Sequence, residues 1–110
     1  MQSNLSKRVN ELLVLAVLGD GHAHGYQIAL RVEERTAGRF SFQHGTLYPI
    51  LHRLEKEGRV AGEWEDGGRR RKTYRTTAAG LESLTADATS LREEFGALFA
   101  LLDGIDDAAA

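Results

Sequence analysis

Four histidines, His22, His24, His44 and His52, are the side chains in this sequence best suited to metal or proton chemistry. His22 and His24 stand two apart, a spacing that can share a metal on a strand, but here a helix is expected to begin beside them. No cysteine and no evident carboxylate partner joins them. Neither a metal nor another cofactor is expected, and capping, hydrogen bonding or phosphate contact accounts for the four rings. The chain has no nucleophile elbow, no glycine-rich phosphate loop and no HExxH segment, so it is not expected to be an enzyme. What remains is cationic and aromatic. Tyr48, His52, Arg53 and Lys56 lie close together, and Arg69, Arg70, Arg71 and Lys72 are consecutive. Adjacent cations repel one another and add nothing to a core, but they suit a phosphate backbone. A solvated charged turn is the competing reading.

The first group sits on a segment with helix signals at both ends. Gly45 or Thr46 can cap its start, Pro49 falls in the first turn, and Gly58 can supply the left-handed residue that ends it. At 100° per residue, Leu47, Ile50, Leu51 and Leu54 form one apolar arc. Tyr48, Pro49, His52, Arg53 and Lys56 fall opposite. A helix buried on one face and armed on the other suits a major-groove reader, although a surface helix meeting water has the same pattern.

After Gly58 the period becomes two. Arg59 to Asp66 alternates, Asp66-Gly67-Gly68 is a hairpin turn signal, and Arg70 to Thr76 returns as a strand. Trp64 and Tyr74 are expected to pair across this ladder. The cationic run therefore stands at the hairpin tip. Upstream, His24-Gly25-Tyr26 opens a helix to Arg35 or Thr36, with Tyr26, Ala29, Leu30 and Val32 as its inner residues. Phe40-Ser41-Phe42 alternates as a very short strand. Helix, helix, helix and hairpin in this order make a winged helix-turn-helix.

Both end helices carry surplus apolar surface. Residues 4–18 repeat Leu5, Val9, Leu12, Leu13 and Ala16, and Val14, Leu15, Val17 and Leu18 make the helix apolar nearly all round. In the last helix Leu81, Leu84, Ala88, Leu91, Phe95, Leu98, Leu102 and Ile105 keep heptad spacing, with Phe99 and Leu101 outside the seam. Thr76 or Thr77 caps this helix and Gly104 is expected to stop it. A homodimer through Leu5, Val9, Leu12, Leu84, Ala88, Leu91, Phe95, Leu98 and Leu102 hides this surface; the alternative is an ordinary core helix folded on its own domain. The expected organisation is a winged helix-turn-helix domain over residues 1–76, a dimerisation helix over 77–105 and a frayed tail over 106–110. The fold class is mostly α with a small β-hairpin.

Composition permits this reading. With 110 residues, 42% apolar and 27% charged, the chain fits one small ordered domain. It lacks cysteine and any apolar run long enough to span a bilayer, so a cytoplasmic protein is expected. Net charge is −2, yet residues 1–80 hold 13 Lys/Arg against 9 Asp/Glu, while residues 81–110 hold Arg92 against seven acids. A local basic patch, not the total, is what a polyanion meets.

His24-Gly25-Tyr26, Gly45-Thr46-Leu47-Tyr48-Pro49-Ile50-Leu51, Arg53-Leu54-Glu55, Gly58, the wing Gly67 to Tyr74 and Thr77-Ala78-Ala79-Gly80 together resemble the PadR family of bacterial transcriptional regulators. The single last helix matches its short subfamily. The resemblance implies a winged-helix homodimer that binds double-stranded promoter DNA as a repressor and is loosened by a small aromatic or cationic effector. It places DNA contacts at Thr46, Tyr48 and Pro49 and at Arg69, Arg70, Arg71 and Lys72, and matches His24 and Tyr26 to the second-helix motif. His44, His52, Arg53 and Lys56 are expected to reach the backbone or flanking bases. The tryptophan usual in the family's effector pore is missing from the last helix, and Phe95 or Phe99 can stand in. A dimeric small-molecule sensor or protein-partner module that keeps the fold without an operator is the alternative function.

Overall fold

A computed structural model describes residues 5–43, 45–66 and 71–109. In chain order it has α1 (Leu5–Leu18), β1 (Ala23–His24), α2 (Gly25–Arg35), α3 (Leu47–Lys56), β2 (Val60–Trp64), β3 (Lys72–Thr76) and α4 (Ala78–Ala109). The strands form one antiparallel sheet in the order β1-β3-β2. This is the expected winged helix-turn-helix followed by a long C-terminal helix.

The core forms where three helices meet the sheet. α1 contributes Val14, Leu15, Val17 and Leu18, α2 contributes Ile28 and Val32, and α3 contributes Leu47, Ile50, Leu51 and Leu54. Val60 and Tyr74 close it from the strands. The apolar arc read from α3 is thus the buried one. Gly58 takes φ +75°, the left-handed conformation that stops α3, and the Arg59 amide then bonds back to the Leu54 carbonyl at 2.9 Å. Gly45 takes φ +85° ahead of α3, so it makes the entry turn, and Thr46 holds the N-cap position without a side-chain cap bond.

α4 starts at a side-chain cap, since the Gly80 amide donates to Thr77 Oγ1 at 3.1 Å. It lies antiparallel along α1: Thr76 Oγ1 bonds the Leu15 carbonyl near one end, and Arg8 pairs with Glu94 near the other. With 32 residues it is about 48 Å long, and it stretches the molecule to 64 Å.

Several expectations change. Phe40, Ser41 and Phe42 are not in a strand; the third strand is Ala23–His24, whose partners are Tyr74 and Thr73. Two residues are too short to show an alternating pattern, so nothing in the sequence marked them. Across β2 and β3, Gly62 faces Tyr74 and Trp64 faces Lys72, so Trp64 and Tyr74 are not direct partners. On α2 the inward residues are Gly25, Ile28 and Val32, while Tyr26 is 68% exposed and Leu30 is at the surface. The helix is turned so that Gly25, not Tyr26, meets its neighbour. α4 runs through Gly104 to Ala109: that glycine stays helical, at a cost in propensity of about 1 kcal/mol, instead of adopting a left-handed stop.

Candidate nucleic-acid interface

The outer face of α3 is open. Tyr48 is 60% exposed, and Pro49, His52 and Lys56 are exposed beside it. α2 begins against this face. His24 stands at the N-cap of α2 with its amide donating to Gln27 Oε1 at 3.1 Å, and the next residue, Gly25, carries the Tyr48 ring. A Cβ on residue 25 would stand 2.5 Å from Tyr48 Oη. Only glycine leaves room for the phenol this close to the start of α2.

The sheet closes the third side. A cleft of about 760 Å³ runs between α2, α3 and the hairpin, lined by His24, Tyr26, Tyr48, His52, Arg71 and Lys72 together with Trp64 and Tyr74. Six of the residues nominated from sequence thus line one cleft. Arg71 Nη1 lies 3.2 Å from His24 Nε2; a guanidinium only donates, so the ring nitrogen accepts. This contact ties the wing to the start of α2.

Not every nominated cation is free to meet a partner. Lys72 Nζ donates to Glu55 Oε1 at 2.8 Å and sits 5.5 Å from the Trp64 ring centroid and 5.6 Å from that of Tyr74. The hydrogen bond to Glu55 raises its pKa against a smaller effect of burial, so it is a charged strut between hairpin and α3. Arg53 does not point out with Tyr48. Its Nε and Nη2 reach Glu11 Oε2 of α1 at 3.0 and 2.9 Å. His44, Arg69 and Arg70 lie outside the described residues, and Thr46 is half-buried at the head of α3. No group of three or more metal-holding side chains occurs among the described residues.

Glu11 is the functional-looking residue that sequence reasoning passed over. It is 7% exposed, one turn before the core residues Val14 and Leu15. Its second oxygen accepts from Arg59 Nη1 at 3.2 Å. Burial is the largest influence on Arg59 and opposes its charge, but hydrogen bonds to Glu57 and Glu11 together outweigh it and raise the pKa. An acid set among Val9, Leu12, Val14 and Leu15 was the available signal.

The residues expected to dimerise line a second surface. Val9 and Leu12 of α1 and Leu84, Ala88, Leu91 and Phe95 of α4 border an apolar cleft of about 880 Å³ that reaches Phe40 and Phe99. The Phe95 and Phe99 rings are 6.1 Å apart and tilted by 41°. Leu5, Leu98 and Leu102 are each at least 40% exposed. No helix among the described residues is long and apolar enough to cross a membrane.

Comparison with known proteins agrees with this architecture. A family model described as the transcriptional regulator PadR-like family matches residues 14–86. A transcriptional regulator of Mycobacterium tuberculosis is 39% identical over 83 residues, covering 74% of this chain and 75% of that protein. A PadR family transcription regulator from Clostridium difficile superposes with a TM-score of 0.73 at 27% identity, over 84% of this chain and 97% of that one. Bacillus subtilis PadR, solved in complex with operator DNA, gives a TM-score of 0.65 at 28% identity, over 72% of this chain and 45% of that longer one. The chain belongs to the PadR-like family, whose members are transcriptional regulators and not enzymes.

Proposed function

We propose that this protein is a homodimeric repressor that binds a palindromic operator in the cytoplasm and is released from it by a small aromatic or cationic effector. The observation that carries the DNA reading is the shared cleft. The exposed Tyr48 face of α3, the start of α2 and Arg71 of the wing border one cationic and aromatic surface. Tyr48 and His52, both exposed, read base edges or phosphates in this proposal, Lys56 extends the same face, and the helix start at His24 suits a phosphate. Arg69, Arg70 and Arg71 serve the backbone or the minor groove. Arg53 and Lys72 support the surface more than they enter it, given their partners Glu11 and Glu55. The operator complex of the Bacillus subtilis relative supports DNA binding by this fold.

The dimer reading rests on the apolar seam left open along α1 and α4, and a two-fold protein matches two half-sites about one helical turn apart. The Phe95 and Phe99 pair offers aromatic surface to an effector in that seam. A mobility shift and footprint on DNA upstream of the protein's own gene test the function. Retention of a fragment with a symmetric footprint is expected. If no upstream fragment is retained at low salt, the operator reading fails and the dimeric sensor or partner-binding module takes its place.

A further inference from the structure

We infer that Glu11 is a positioning residue for α3 and the joint through which a shift of α4 reaches the DNA-facing surface; the second half of this rests on the DNA reading above. Three elements meet at this one carboxylate, and a fourth, α4, is one residue removed. Glu11 belongs to α1, and its two oxygens divide between two arginines. Oε2 takes Arg53 from the middle of α3, and Oε1 takes Arg59 from the turn after α3. Arg59 in turn reaches α4: its Nε donates to Ser83 Oγ at 3.0 Å and its Nη2 faces Asp87 Oδ2 at 3.6 Å. The Arg59 carbonyl also receives the Thr77 amide at 3.1 Å, just ahead of α4.

The chain of contacts is therefore Asp87 and Ser83, Arg59, Glu11, Arg53. It begins on the helix that lines the apolar seam and ends on the helix that carries Tyr48. Two features make it a joint and not a surface pair. Glu11 is buried, so a charge left without its partners has no water to turn to. Arg59 Nη2 is buried without a hydrogen bond, held only by the longer approach to Asp87. A small movement of α4 therefore changes the partners of Arg59 before it strains the apolar core. Coupling of this kind needs a contact network that both ends can bias, and this network is continuous.

The test compares wild type with Ser83→Ala/Asp87→Asn, Glu11→Gln and the triple combination. The first pair lies on α4, outside the Tyr48 face. Hydrogen exchange of the α3 amides 51–56 needs no DNA. We expect it to quicken about tenfold in Ser83→Ala/Asp87→Asn, the scale of a lost charged hydrogen bond. The same change should add nothing further once Glu11→Gln has opened the joint. Binding of a fluorescent duplex cut from the gene's upstream region, read by anisotropy, should weaken in parallel. Exchange that quickens only in α4, or effects that add in full in the triple variant, overturns the inference. If Glu11→Gln does not fold, Arg53→Met opens the joint from α3 and the same two outcomes decide. A wild-type protein that binds no upstream duplex sinks the DNA reading, while the exchange result still decides the joint.

Discussion

Replacing Gly25 by alanine would set a carbon 2.5 Å from Tyr48 Oη and 2.7 Å from Cζ. Both atoms belong to a side chain with 60% of its surface free, so the ring moves and the fold stays. Gly25→Ala should leave the thermal midpoint nearly unchanged while lowering affinity for the operator by about 1–3 kcal/mol, the range of one base contact. Tyr48→Ala should cost a similar amount on operator DNA and much less on random-sequence DNA. Equal losses on both, measured by anisotropy, would show that Tyr48 does not read sequence. The same pair shows what a sequence conveys at this scale. The exposed Tyr48, His52 and Lys56 followed from helical spacing alone. Arg53 did not, because a long cation at the edge of the apolar arc can turn either way, and the buried Glu11 decided the direction.

At the scale of elements, helices with strong periodicity were legible and contacts between short pieces were not. α3 followed from its apolar arc and both end signals, and α4 from its apolar repeat and its Thr77 start, whereas the stop expected at Gly104 did not hold. The two-residue β1 had no pattern to read, and it completes the sheet only because α1 and α2 bring it beside Tyr74. Gly80 is a further case. Taken alone it weakens a helix by about 1 kcal/mol relative to alanine, so alanine should help. In the fold, a Cβ there would meet the Arg59 carbonyl oxygen at 2.0 Å, and backbone cannot step aside as a side chain can. Overpacking of this sort costs about 1–3 kcal/mol. Gly80→Ala should therefore destabilise the protein by up to about 2 kcal/mol, read as a lower urea midpoint at fixed protein concentration. On the hairpin, Arg71→Ala should reduce the slope of log affinity against log salt by about one unit for each wing, and weaken all DNA sequences alike. An unchanged slope would remove Arg71 from the phosphate contacts.

At the scale of the molecule, one small domain carries a helix of 32 residues in which positions 96–105 are exposed among the described residues. Leu98, Phe99, Leu101, Leu102 and Ile105 are between 42% and 70% exposed, on more than one side of α4. Burying such side chains contributes about 1.5–3 kcal/mol each, so leaving all of them in water would be a large loss for a chain this short. In the proposed dimer, a second copy laid along the seam would recover it. The same pairing would set two Tyr48 faces at a fixed separation, so that a second half-site would be met at high effective concentration. Leu98→Glu with Leu102→Glu places two charges in that seam and leaves α3 and the wing untouched. Sedimentation at micromolar concentration should then show a folded particle of one 12.1 kDa chain in place of twice that mass. Operator affinity should fall by at least a hundredfold, and the salt slope should drop to about half, because a lone chain meets half the phosphates. A wild-type protein that is already a folded monomer at that concentration would remove the two-fold arrangement and, with it, the expectation of a palindromic site.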